Sequence, residues 1–281
     1  MTRLLLALVL LCWPGVALAK FAPVDGQVWR FSLADERGDV RRTQERRIVF
    51  HKAAQGYTAD LTIVVADTGA GDIGAMAARV VSALTGRTIR YDLNDQGMVV
   101  GVEDQDALMA TLVAAFGAMG SAGKDASPER QAVAAQAAAM LGALPYDAKR
   151  LLLAALLTPA IGGALSDAQP GEAPVSLPAG SPLGQSTELK GRQIVSRGAD
   201  GRLIVDTDVS GPAANATRAS LPGAGMVDPA AVPMLRIVQH REIDAATGLV
   251  LVNERRADSW LSTKPDAITT IRARGTLTPV S

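Results

Sequence analysis

The sequence predicts an α+β fold. An antiparallel β-sheet, with a curved or half-barrel form left open, is built from both ends of the chain, and central helices pack on one face. Three observations point there. Residues 104–159 carry an almost unbroken helical pattern. Residues 20–103 and 186–281 contain runs that alternate apolar and polar side chains with the strand period of two. The turns between those runs are short, which favours antiparallel neighbours over long crossovers.

In the first block, Trp29, Phe31 and Leu33 alternate with Val28, Arg30 and Ser32, so the first three define a buried strand face. Residues 35–38 read as a turn and 41–50 as the returning strand. Gln55 and Gly56 lead into residues 57–66, where Tyr57, Ala59, Leu61, Ile63 and Val65 share a face. Residues 87–93 and 98–102 read as a hairpin around Asn94, Asp95, Gln96 and Gly97. Between these strands Gly69, Gly71 and Gly74 match GxGxxG, and Asp92 follows at roughly the distance of a ribose-binding acid. The preceding strands look antiparallel and no second βαβ unit follows, as a dinucleotide fold would need. The glycines are therefore expected to form a strand-to-helix turn, with Asp72 as cap and Gly86 as the helix stop.

In the central stretch, Asp104 is placed to cap a helix carrying Leu108, Leu112, Val113, Phe116 and Met119. Gly117, Gly120 and Gly123 loosen the chain. Ser127, Pro128 and Glu129 restart it with a cap, a first-turn proline and an acid at the positive helix end. Val133, Ala137, Met140, Leu141 and Leu144 continue at helical spacing. A third helix starts at Asp147, carries Leu151, Leu152, Leu153, Leu156 and Leu157, and stops at Pro159. Its leucines cover more than one face, which predicts the most buried helix of the three. None of these runs reaches the about 20 apolar residues that span a bilayer.

Residues 166–185 are rich in Pro, Gly, Ala and Ser and are expected to form an exposed linker. The second β block follows over 186–281. Its clearest part is a hairpin of residues 234–243 and 249–261, turned at 244–248 with Gly248 supplying positive φ. Residues 268–277 add a third strand. By alternation Val250, Val252 and Trp260 share a face with Glu254, Arg256 and Asp258.

The N-terminus carries its own signal. Arg3 precedes the apolar residues 4–11, Pro14 and Gly15 break the helix, and Ala17, Leu18 and Ala19 suit a signal peptidase. Residues 1–19 are expected to be a secretory signal peptide cut after Ala19. Residues 20–281 would then form one domain in the periplasm or outside the cell, with no transmembrane anchor. Cys12 is the only cysteine and leaves with that segment, which excludes a disulfide, a thiol nucleophile and a thiolate metal site in the mature chain. The whole chain holds 28 basic and 28 acidic residues. No polybasic segment stands out, so nucleic acid is not an expected partner.

Few residues offer bond chemistry. His51 and His240 are the only histidines and sit far apart in expected strands. A hydrolase would need one of them beside an acid and a nucleophile. Ser121 lies in a glycine-rich run but lacks the GxSxG spacing, because Met119 precedes it by two. Asp92, Asp95, Glu103, Asp104 and Asp106 do not follow calcium-loop spacing and read as turn and cap residues. No metal or cofactor is expected. Arg41, Arg42, Arg46 and Arg47, with Glu45 among them, read as a solvated sheet face. Trp29 and Trp260 are the candidate ligand-binding residues, as large apolar surfaces able to line a pocket. Asn215, Ala216 and Thr217 match a glycosylation sequon.

The run Tyr91, Asp92, Leu93, Asn94, Asp95, Gln96 and Gly97, followed by Met98, Val99 and Val100, resembles uncharacterised secreted bacterial β-rich proteins of the domain-of-unknown-function kind. Asp244, Ala245, Ala246, Thr247, Gly248, Leu249 and Val250 are similar to them too. The resemblance implies a fold but no activity and no site residues. A long meandering sheet with helices on one side is also similar in plan to periplasmic lipoprotein-carrier folds, and fold alone does not fix function. The expected function is non-enzymatic: binding of an apolar small molecule, a lipid or an envelope protein. The alternatives are a structural or assembly protein of the envelope and a hydrolase of unknown specificity.

Overall fold

The computed structural model describes residues 21–67, 82–119, 128–179, 187–213 and 231–280. Strands β1 (Val28–Arg37), β2 (Val40–Lys52), β3 (Tyr57–Asp67), β4 (Thr88–Leu93) and β5 (Val99–Val102) form one meander. Strands β6 (Gly171–Ala179), β7 (Thr187–Arg197), β8 (Leu203–Pro212), β9 (Pro233–Ile243), β10 (Val250–Leu261) and β11 (Lys264–Pro279) form another. Because β1 pairs with β11, the two meanders fuse into one open 11-stranded sheet of order β5-β4-β3-β2-β1-β11-β10-β9-β8-β7-β6. Every neighbouring pair is antiparallel. The two blocks read from the alternating pattern thus share one sheet.

This order leaves β5 and β6 at opposite edges, about 48 Å apart along the sheet at 4.8 Å per strand. The chain between them has to cross one face. It does so as α1 (Gln105–Met119), α2 (Pro128–Gly142), α3 (Tyr146–Ala154) and two 3-10 helices, Thr158–Ala160 and Gly163–Asp167. The crossing is fastened at mid-sheet: Ile161 bridges Leu249, and the Gly162 N–H donates to the Gly248 carbonyl at 2.9 Å. Among the described residues no helix is long and apolar enough to cross a membrane.

Beneath the helices lies the main core. Phe31, Ile48, Phe50, Leu61, Ile63, Ile89, Tyr91 and Leu93 rise from the sheet and meet Leu108, Met109 and Leu112 of α1, with Leu153 and Leu157. Each such large side chain contributes about 1.5–3 kcal/mol on burial. Phe21 stands edge-on to Phe50 and Tyr57, with centroids 5.6 and 5.2 Å away. The Tyr91 hydroxyl donates to the Leu153 carbonyl at 3.0 Å, so its polar end is satisfied inside the core.

The structure corrects the sequence expectation in four places. Asp104 does stand just before α1, and its carbonyl accepts the Leu108 N–H as that of a capping residue does, but its φ is a left-handed 51° in place of the usual β region. The leucine run of α3 does not make it the best buried helix: the helix ends at Ala154, and Leu151 is 67% exposed. Val65 leaves the core because β3 bulges where Glu45 faces Val65 but Arg46 faces Ile63. The extra residue shifts the alternation by one, and Ala66 takes the inward place. The fourth correction concerns residues 166–185. They are not wholly a linker, since 171–179 form edge strand β6. Pro174 and Pro178 cannot donate to a ladder, and an edge is where a strand tolerates that loss. Their missing donors also blunt the open edge. The other edge, β5, is short, and Arg150 Nη1 donates to its Val100 carbonyl at 3.0 Å.

Candidate functional site

The helix-side face of the sheet carries an unexpected polar row. Arg42 of β2 lies opposite Asp35 of β1, and Asp35 opposite Ala273 of β11. Ala273 faces Arg255 of β10, which faces Gln239 of β9. Gln239 faces Thr207 of β8, Thr207 faces Gln193 of β7, and Gln193 faces Ala173 of β6. The row crosses eight adjacent strands. Strand alternation puts it on the face of Phe31, Leu33, Ile237 and Val209. The next row toward the helices adds Gln44, Asn253 and Arg241. This band separates the main core from a smaller one of Leu189, Val209 and Ile237, packed by Val175, Leu177 and Leu235.

Within the band, side chains form a directed chain. Arg241 Nη2 donates to Gln239 Oε1 at 2.8 Å, and Gln239 Nε2 donates to Asn253 Oδ1 at 2.8 Å. Asn253 Nδ2 reaches the Pro159 carbonyl at 3.5 Å, on the crossing segment. Arg46, only 5% exposed, donates from Nε to Gln44 Oε1 at 2.8 Å and from Nη1 to the Leu156 carbonyl. Its guanidinium also sits 5.4 Å above the centre of the Phe31 ring.

Donors outnumber acceptors here. Four guanidiniums, of Arg42, Arg46, Arg241 and Arg255, share the band with the single carboxylate of Asp35, which stands 3.9 Å from Arg42. Among the described residues Arg255 has no carboxylate partner, and Arg42 Nε and Gln44 Nε2 are buried without an acceptor. Desolvation lowers the pKa of Arg46 to about 10 and also lowers those of Arg241 and Arg255; the charge of Arg255 pulls Arg241 down further. Solvent still reaches the Arg255 side chain, so this cation is crowded by protein yet accessible. Such an arrangement suits a ligand bearing an acceptor group or a negative charge.

Other expected residues land elsewhere. Trp29 lies in the main core on the inner face, with its Nε1 unpaired. Trp260 pairs opposite Met234, out of phase with the inward Ala257, and so sits on the outer face. The two tryptophans therefore do not line a common pocket. Of the four arginines read as a solvated face, Arg42 and Arg46 point inward and only Arg41 and Arg47 are exposed. His51 lies 3.7 Å from Asp25 and 3.9 Å from Asp60 on the open outer face. His240 Nδ1 lies 2.7 Å from Asp206 Oδ1, and its Nε2 lies 3.7 Å from Glu242. His240 also borders an outer groove of about 450 Å³, whose lining among the described residues contains no serine, threonine or cysteine. The GxGxxG glycines, Ser121 and the sequon at 215–217 lie outside the described residues, as does the signal segment. Among the described residues no group of three acids, histidines or cysteines converges to hold a metal.

Sequence reasoning did not single out Arg241, Gln239, Arg255 or Thr207. The available signal was phase: each alternates with an outward polar residue at a position that Ile237, Ala257 or Val209 on its own strand marks as inward. No family model matches the chain, and no curated protein matches it.

Proposed function

We propose that the protein is a non-catalytic binding protein of the cell envelope, and that its ligand is an amphipathic molecule, an acyl lipid among them, with an anionic or carbonyl head. One observation carries this reading: four guanidiniums share the inner band with a single carboxylate, and Arg255 is both accessible and without a partner. A solvent-exposed guanidinium beside other cations, with no carboxylate partner among the described residues, is available to pair with an anionic head. Half-buried Leu33 and Ala257 and exposed Ile271 border the band and suit the apolar part of such a ligand. The signal-like residues 1–19 support a site of action outside the cytoplasm. The assembly alternative gains little from the sheet edges, because prolines blunt β6 and Arg150 occupies β5. The hydrolase alternative finds no serine, threonine or cysteine beside His240 among the described residues of the lining.

Native mass spectrometry of the purified full chain, together with titration of a long-chain fatty acid, tests this. A bound amphiphile, and affinity that falls about ten-fold in Arg255→Gln, is the expected result, since a hydrogen bond to a charged group is worth that much. Absence of both a co-purifying amphiphile and fatty-acid binding would remove the reading.

A further inference from the structure

The outer face of the sheet, opposite the helices, holds the groove bordered by His240. The register explains its charge. Arg256 of β10 lies directly opposite Arg272 of β11, so two like charges face each other across a ladder. Like charges in that position destabilise a sheet unless something compensates them. Arg256 has Asp258, at 3.0 Å. Arg272 has no carboxylate partner among the described residues. Arg274 and Arg41 flank the pair and are drawn to the groove's own acids, Glu254 at 3.3 Å and Glu36 at 3.9 Å. Of these four outer-face guanidiniums three have a carboxylate each, which leaves the charge of Arg272 in excess beside a floor that includes Ala34 and Val238.

We propose that this groove binds a phosphoryl group, with Arg256 and Arg272 as its principal ligands. A carboxylate would use one guanidinium fork. A phosphoryl group is tetrahedral, so its oxygens, two non-bridging on a phosphodiester and more on free phosphate, lie out of one plane, which suits guanidiniums arriving from neighbouring strands. Arg255 and Ala273 of the inner row also border this groove, but the register turns their side chains to the other face of the sheet, so the principal ligands proposed for the two sites are different guanidiniums. The phosphoryl group can belong to free phosphate or to an anionic lipid headgroup.

The test uses the full chain at constant pH and ionic strength. Inorganic phosphate is titrated while backbone amide shifts are followed by NMR. Sedimentation with phosphatidylcholine vesicles, with and without phosphatidylglycerol, runs in parallel. Amides of residues 254–256 and 272–274 are expected to shift. Arg272→Gln and Arg256→Gln are expected each to weaken binding about ten-fold, with Arg272→Lys retaining part of it. Binding of phosphate alone identifies a free-phosphate site, and binding of phosphatidylglycerol vesicles alone identifies a headgroup site. The proposal fails if the wild type binds neither probe, or if the shifts map away from these strands. It fails equally if Arg192→Gln, a paired arginine elsewhere on the same face, weakens binding as much as Arg272→Gln does.

Discussion

Arg46 keeps its charge where water barely reaches, and its donors explain how. It ties Gln44 of its own strand to the Leu156 carbonyl of the segment after α3, and so fixes the helical crossing to the sheet centre. Arg46→Leu keeps most of the apolar volume but leaves Gln44 Oε1 and the Leu156 carbonyl without these donors. Two such orphans cost about 2–4 kcal/mol, readable as a lower urea midpoint. Arg46→Lys should fall between, since an ammonium cannot reproduce the guanidinium fork. An unchanged midpoint in Arg46→Leu would show that the crossing holds without this tie. His240 poses the opposite electrostatic case. Burial alone lowers its pKa, but the hydrogen bond to Asp206 and the charges of Asp206 and Glu242 outweigh it, and the net shift is upward. A raised histidine pKa stabilises the fold fully below the unfolded value of about 6.5, and that contribution is lost as pH rises through the higher folded value. NMR titration should place His240 above 6.5, and His240→Gln should remove this part of the pH dependence of stability.

At the scale of elements, most turns were readable and the irregularities were not. The turn expected at residues 35–38 is only the step from Gly38 to Asp39, since Asp35 to Arg37 still pair within β1. Gly248 supplies the positive φ expected of it, at 72°, and Gly56, read as part of a turn, has a positive φ too, at 71°. Gly56 has a second constraint. A Cβ there would run into the Leu93 carbonyl and the Asn94 main chain, where β4 ends against the β2–β3 turn. Backbone cannot step aside as a flexible side chain can, so Gly56→Ala should cost about 3 kcal/mol and lower the melting temperature by several degrees. Gly38, at φ 57° with open space around it, should lose only about 1 kcal/mol on the same change. Equal losses at the two sites would refute the packing argument. The bulge at Val65 and the strand at 171–179 escaped the sequence for a common reason. A period-two pattern carries no mark of an inserted residue, and prolines that forbid a central strand are compatible with an edge. Edge or centre is decided by the order of the whole sheet, which local composition does not contain. The inner band was hidden for the same reason: its residues come from eight strands, and only their register aligns them.

The whole molecule is one sheet supporting cores of unequal size, and that inequality makes the last prediction. Strands β2, β3 and β4 pack under the helices in the large cluster of Ile48, Phe50, Leu61, Ile89 and Tyr91. Strands β7 and β8 rely on two smaller clusters, Val195 with Leu203 and Val205, and Leu189 with Val209 and Ile237. The polar band lies between the large cluster and that of Leu189, Val209 and Ile237, where amides and guanidiniums replace the apolar contacts that would otherwise unite them. Opening free energy follows the apolar contacts broken, so a sheet continuous in hydrogen bonds need not open as one unit. Backbone amides of β7 and β8 should therefore exchange with deuterium faster than those of β3 and β4, by roughly ten-fold for each 1.4 kcal/mol of difference. A ligand bound across the band would join the two regions, and its addition should slow exchange in β9 and β10 more than in β3. Uniform protection across all the strands in the free protein would mean that the band, despite its chemistry, couples the cores as tightly as apolar packing does.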